Sequence, residues 1–256
     1  MSDDEDGADE WEFYPCLVDD RPASIFLNLR YEQTRPSPPV ETLYWARIHM
    51  ADAGDHGMGT PSEAEALHRL EDAFIAAATK YGLVYVGRLR NAGNWQLTFY
   101  GAPDHDDALN ALARAKLGER QFEIGSKPDA DWTYYREFLL PDAERRQWIS
   151  DRRLVGVLQE HGDVLATPRR VDHWVYFETA ASRQGFVEGA IREGFALESL
   201  LDDDASPPRF GAQVFRDDHV ELDHIHAVVG TLLEIAEEHG GDYDGWETYV
   251  VKPPPN

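Results

Sequence analysis

Cysteine is nearly missing from this chain. Cys16 stands alone, so no disulfide can close within it, and stability has to come from packed cores. Long apolar runs are missing too. No stretch approaches the roughly 20 residues that a membrane-spanning helix needs, and Met1-Ser2-Asp3-Asp4-Glu5-Asp6 is unlike a secretory leader, so a cytoplasmic protein is expected. Basic residues are scarce: 24 Lys and Arg face 48 Asp and Glu, a formal charge of −24. The deficit is even, with 9 bases against 21 acids in residues 150–256 and 15 against 27 in residues 1–149, net −12 in each. Such a surface repels phosphate backbones and favours basic protein partners, so direct nucleic-acid binding is not expected. With 256 residues and 42% hydrophobic content, the chain has room for two cored domains.

Signals of catalysis or cofactor binding are also missing. Gly57-Met58-Gly59 before a helix start lacks the rest of a nucleotide fingerprint, so it reads as a helix entry. His219, Glu221, Asp223, His224 and His226 form a dense group of potential metal ligands, but on a helix His224 and His226 point nearly opposite ways and no zinc spacing results. Asp202-Asp203-Asp204 lacks the glycine and spacing of a calcium loop and reads as a solvated charge run. No nucleophile elbow with matching histidine and acid is readable. The expectation is a chain without metal or cofactor.

What is present is alternation and punctuation. Residues 1–10 offer nothing to bury and are expected to be a disordered acidic tail. From Trp11 the pattern is strand-like, with Ile25, Leu27 and Leu29 on one face and Ser24, Asn28 and Arg30 on the other, until Pro36, Pro38 and Pro39 break it. A third strand follows at residues 43–50. Thr60-Pro61-Ser62-Glu63 spells a capping box, with Glu63 reaching back, and Leu67, Leu70, Phe74, Ala77 and Tyr81 supply the buried stripe of a helix that Gly82 ends. Residues 83–90 and 95–100 make a hairpin, 104–117 a helix and 121–124 a strand. This is a split βαβ plan with extra strands at its start. Pro141, Asp142 and Glu144 then open a helix running to His161, with Trp148, Val155 and Leu158 on one face.

The second half repeats the plan: strand 170–177, a helix capped by Thr179 and closed by Gly194, strands 195–200 and 210–216, then a helix with the stripe Ile225, Val228, Val229, Leu232 and Ala236. Gly240 ends that helix, and the residues from Tyr243 to Val251 suit a last strand, with Gly245 the place for a bulge or a close backbone approach. No sequence repeat links the halves. The expected fold class is α+β, two ferredoxin-like α/β-sandwich domains with mainly antiparallel sheets, at residues 11–141 and 142–256.

The run Gly241-Asp242-Tyr243-Asp244-Gly245-Trp246-Glu247 resembles the closing signature of the regulator of ribonuclease activity B family, small inhibitory proteins that bind ribonuclease E. Thr167-Pro168-Arg169-Arg170-Val171-Asp172-His173-Trp174-Val175-Tyr176-Phe177 and Glu193-Gly194-Phe195 are similar to that family's first strand and its next helix-to-strand turn, so the resemblance covers about residues 150–251. Trp11-Glu12-Phe13-Tyr14, the hairpin around Val86-Gly87-Arg88 and Asp129-Ala130-Asp131-Trp132-Thr133-Tyr134-Tyr135 resemble a bacterial domain family of unknown function, found alone or fused to the regulator domain. The first resemblance implies a non-catalytic protein that binds and inhibits a ribonuclease E-like endoribonuclease. The second implies a domain boundary and adds no activity.

One constellation remains. On the strand at residues 171–178, alternation puts Val171, His173, Val175 and Phe177 on one face and Asp172, Trp174, Tyr176 and Glu178 on the other. Helices cover one face of such a sheet, so the other needs a partner: the first domain, a foreign protein or, least in keeping with the charge, RNA bases. The partner-binding candidates are Asp172, Trp174, Tyr176 and the acidic turn of Asp242, Tyr243, Asp244, Gly245, Trp246 and Glu247, where Tyr243 and Trp246 fall on opposite faces of an unbulged strand. Trp246 has an equal claim as a core anchor. Two other classes stay open, a hydrolase-like enzyme with a site at the domain junction and a direct RNA-binding module.

Overall fold

In the computed structural model, residues 8–36, 40–203 and 209–253 are described. Most of the acidic tail, Pro38 and Pro39 of the proline cluster, and Asp204 lie outside them. The chain divides into two units, Met1–Arg146 and Gln147–Asn256.

The N-terminal unit carries β1 (Trp11–Val18), β2 (Arg21–Asn28), β3 (Thr42–His49), α1 (Pro61–Ala78), β4 (Val84–Asn91), β5 (Asn94–Gly101), α2 (Asp106–Lys116) and β6 (Phe122–Pro128). Its antiparallel sheet has the order β1-β2-β4-β5-β3-β6. The last four strands and two helices are the split βαβ unit, and the β1–β2 hairpin extends the sheet beyond β4. Both hairpins turn through two residues of positive φ, Ala92-Gly93 and Asp19-Asp20, as right-twisted strands require. The second pair contains no glycine, which is why a continuous strand-like stretch was expected there.

Tyr44, Ala46, Ile48, Trp95, Leu97 and Phe99 pack under Leu67 and Phe74 of α1 and Leu109, Leu112 and Ala113 of α2. The capping box is half right. Thr60 Oγ1 accepts from Glu63 N at 3.4 Å, but the Glu63 carboxylate accepts instead from Ala51 N at 2.9 Å and pairs with Arg120 at 2.5 Å. Tyr81 leaves the expected stripe and is 50% exposed, because a 3-10 turn over Thr79–Tyr81 changes the helical phase. Glu71 takes a place on the buried face. Its carboxylate accepts from Tyr85 at 2.6 Å, Trp95 Nε1 at 2.8 Å and Arg88 at 2.7 Å, the full satisfaction a buried charge demands.

The second face of this sheet is roofed. Residues 129–140, including a π-helical turn Tyr134–Leu139, lie over it. Trp132 stacks on Tyr100 with ring centroids 4.0 Å apart, Trp132 Nε1 donates to Val40 O, Tyr135 to Asn28 O, and Tyr14 to Leu139 O. Asp129 accepts from the Tyr100 hydroxyl at 2.6 Å and from the amides of Thr133 and Tyr134, tying the roof's first turn to the sheet. At the edge of the expected tail, Asp9 accepts from Asn28 and Arg30, and Glu10 N donates to Asn28 Oδ1.

The boundary falls in the first turn of α3 (Ala143–Glu160), and the C-terminal unit continues with β7 (Arg169–Phe177), α4 (Ala180–Arg192), β8 (Ala196–Asp203), β9 (Arg209–Asp218), α5 (Leu222–Glu238) and β10 (Gly241–Glu247). Its antiparallel sheet runs β10-β7-β9-β8, the ferredoxin-like order. Val155 and Leu158 of α3, Phe186 and Ala190 of α4, and the α5 stripe Ile225, Val228, Val229, Leu232 and Ala236 share one core with Val171, Val175 and Val214 of the sheet. Gly189 lets α4 and α5 approach, since a Cβ there would meet Ile235 at 2.6 Å. Gly240, at φ 64°, closes α5. The last strand stops earlier than expected. Val251 bonds through its N–H to Asp163 and through its carbonyl to Val164 N, because the buried Arg169–Asp163 pair holds this tail away from the sheet.

Candidate functional site

The acidic turn sits on β10, an edge strand paired, among the described residues, to β7 alone. Its register against β7 shifts between Tyr243 and Gly245, so Asp244 is the extra residue of a bulge, and Gly245 takes a φ of +138°. Only a residue without Cβ adopts that conformation cheaply. The bulge decides which side each aromatic faces. Tyr243 lies opposite Val175 and Trp246 opposite His173, so both enter the helix-side core instead of opposite faces.

There they anchor the strand. Trp246 is 7% exposed, and its Nε1 donates to Asp151 Oδ1 at 3.0 Å. Asp151, on α3, also accepts from His226 Nδ1 at 2.8 Å and Gln147 Nε2 at 2.8 Å, while burial raises its pKa against those bonds. The Tyr243 hydroxyl is 2.8 Å from His173 Nδ1, and burial pushes the phenol's pKa well up. His173 is fully buried, its Nε2 has no partner among the described residues, and desolvation holds its pKa at about 4. Of the candidates, Tyr243 and Trp246 are therefore core anchors.

The others come together on the far face. Asp172, Trp174 and Tyr176 of β7 lie beside Phe215 and Gln213 of β9, with Asp242 and Glu247 of β10 at the rim and Asp244 exposed in the bulge. No helix of the C-terminal unit covers this face among the described residues. Arg170 lies 3.9 Å over the Phe215 ring and pairs with Asp172 and Glu198 at 2.7 Å, and Arg209 lies 4.6 Å over Tyr176 and pairs with Asp242 at 2.8 Å. Burial would raise the Asp172 pKa, but its bonds from Arg170 and Gln213 outweigh that and hold it low. Both arginines are thus spent on carboxylates of their own chain, while Asp244 and Glu247 make no ion pair among the described residues and stand around a shallow depression of about 320 Å³ between Trp174, Tyr176 and the bulge. On this floor Phe215, which the sequence pattern did not single out, and Tyr176 are covered by Arg170 and Arg209, so Trp174 is the ring left for flat contacts, and the rim can take cations.

The histidines and acids at the start of α5 pair among themselves. His219 stacks on His224 at 3.7 Å, His224 bonds Asp218 at 2.9 Å, His219 lies 3.2 Å from Glu221, and His226 serves Asp151. Among the described residues no group of three or more such side chains could hold a metal ion, and no helix is long and apolar enough to cross a membrane.

Residues 9–140, more than half the chain, match the model of a family of unknown function (DUF695). The chain belongs to that family. Residues 148–248 match the model described as regulator of ribonuclease activity B. A protein named regulator of ribonuclease activity B from Alteromonas mediterranea is 28% identical over 111 residues, which cover 41% of this chain and 83% of that protein. Among solved structures, an unknown protein from Galdieria sulphuraria (TM-score 0.25, 12% identity) and a putative glycine cleavage system transcriptional repressor (TM-score 0.26, 9% identity) each align with 82% of this chain and 99% of theirs, at scores too low to carry an argument.

Proposed function

We propose that this chain is a non-catalytic regulator of ribonuclease activity, whose C-terminal domain binds and inhibits a ribonuclease E-like endoribonuclease through protein-protein contacts. The observation that carries this reading is the sheet face of Trp174, Tyr176 and Phe215, left open by its own domain and rimmed with Asp242, Asp244 and Glu247, in the part of the chain that matches the regulator family. The aromatic floor supplies buried contact area, and the rim supplies long-range attraction to a basic segment. Inhibition follows if the segment so covered is one the enzyme uses to hold RNA. Direct RNA binding fits less well, because the arginines on the face are already paired and the domain's net charge repels phosphate.

The test is binding to the ribonuclease, and inhibition of its cleavage of a structured RNA, for the wild type and for a variant with Asp242→Asn, Asp244→Asn and Glu247→Gln. The wild type is expected to bind in nuclease-treated samples and to slow cleavage, and the variant to fold normally while losing both in step. A wild type that neither binds nor inhibits at micromolar excess overturns the proposal.

A further inference from the structure

The roof over the N-terminal sheet stops short. Beside the stacked Tyr134–Phe138 pair, the sheet's second face stays open as a groove of about 480 Å³, floored by Trp45, Leu89, Asn94, Gln96 and Thr98. That size is in the range of small-molecule sites. The Trp45 indole lies flat on the β6 backbone, where a Cβ on Gly125 would come within 2.2 Å of the ring. Glycine at that position therefore gives the groove a flat aromatic surface.

Two buried polar atoms on the floor lack hydrogen bonds among the described residues, Thr98 Oγ1 and Asn94 Oδ1. Thr98 is fully buried. Its hydroxyl neighbours the Tyr134 phenol and helps to hold down a pKa that burial raises, without making a hydrogen bond of good geometry, while Gln96 Nε2 reaches the same phenol at 3.2 Å. A buried hydroxyl without a partner costs free energy that a bound acceptor or donor would recover. The charge at the groove also runs against the rest of the chain. Arg47 and Lys127 line it against Asp19 alone, in a protein with twice as many acids as bases. Arg47 is occupied by Gln96 and Glu123, whereas Lys127 makes no ion pair among the described residues and lies 5.9 Å from the Tyr134 ring centroid.

We propose that this groove is a binding site for a small planar carboxylate, its ring laid on Trp45, a polar substituent bonded to Thr98 and its carboxylate facing Lys127. The site lies wholly in the domain of unknown function and is independent of the regulator face.

The experiment titrates the full chain with 4-hydroxyphenylacetate, indole-3-acetate and the uncharged 4-hydroxyphenylacetamide at millimolar concentration, following the Trp45 indole N–H resonance, assigned with Trp45→Phe. The acids are expected to shift it, and the amide to bind about fivefold more weakly or worse. Lys127→Gln, a change at an exposed side chain, should abolish the preference for acid over amide. Thr98→Val should weaken the phenolic acid and amide alike, and should not lower the melting temperature of the free protein, since it removes an unpaired hydroxyl. If neither acid moves the Trp45 resonance, or if Lys127→Gln leaves the preference intact, the proposal is overturned.

Discussion

The strands β6-β3-β5-β4 and β10-β7-β9-β8 trace one arrangement twice, each with two helices between strands and a helix-covered face packed with Val, Leu, Ile and Phe. Their second faces differ. In the N-terminal domain the chain returns after its last strand and lays Trp132, Tyr135 and Leu139 over the sheet, whereas in the C-terminal domain the described residues after β10 bond to Asp163 and Val164 and leave the face of Trp174, Tyr176 and Phe215 uncovered. One topology thus carries two kinds of second face, and in the N-terminal domain a dozen residues after the fourth strand make the closed kind. Closing a face gives core, and leaving it open gives surface that can recognise something else.

The comparison breaks first at its tryptophans. Trp132→Ala should cost the N-terminal domain about 3–5 kcal/mol, and Trp246→Ala a similar amount in the C-terminal domain, with Asp151 losing one of its donors. Trp174→Ala should cost only about 1 kcal/mol while abolishing the ribonuclease binding proposed above. Chemical denaturation with both transitions resolved checks all three. Equal losses for Trp132 and Trp174 would mean that the second face of the C-terminal sheet is core as well.

Acid should separate the domains next. His173 is held at about 4 when folded, against 6.5 in the unfolded chain, so below pH 6.5 the unfolded state binds a proton that the folded state refuses. The stability is complete above the unfolded value and falls with pH down to the folded one, a loss of about 3 kcal/mol. No histidine is fully buried in the N-terminal domain among the described residues, so its transition should move less between pH 6.5 and 4. Gly245→Ala sharpens the contrast on a smaller scale. With nothing within 4 Å of the added methyl, its cost of about 1–3 kcal/mol is purely backbone strain. Smallest in stability is the triple neutralisation of Asp242, Asp244 and Glu247, within about 0.5 kcal/mol. It should nevertheless flatten the dependence of partner association rate on salt, as stopped-flow measurements at low and high ionic strength would show.

Much of this was legible in the residues themselves. The α5 stripe matches the buried set residue for residue, Thr60 and Thr179 cap where their spacing implies, and the order of elements carries the ferredoxin-like plan. What was hidden depends on long-range pairing. Asp19-Asp20 has no glycine to announce a hairpin. Glu71 joins the core because Tyr85, Trp95 and Arg88 arrive from other strands, and Glu63 turns away from its cap for Arg120, 57 positions on. The roof reads locally as an aromatic-rich connection, since nothing within residues 129–140 says which sheet they cover. In the candidate site, alternation sorted the β7 side chains into the two faces they take without saying which is open, and failed on β10, where one inserted residue defeats a period of two.

That insertion makes the strand's sidedness a matter of odd and even. Two residues separate Tyr243 from Trp246, where a flat strand with both rings indoors has room for one. Deleting Asp244 would restore the even count: the bulge would vanish, Trp246 would keep its seat beside Asp151, and Gly245 would become an ordinary strand residue that tolerates alanine. Gly245→Ala should therefore be harmful in the full-length chain and nearly silent in the deletion, so that losing a residue rescues a substitution next to it.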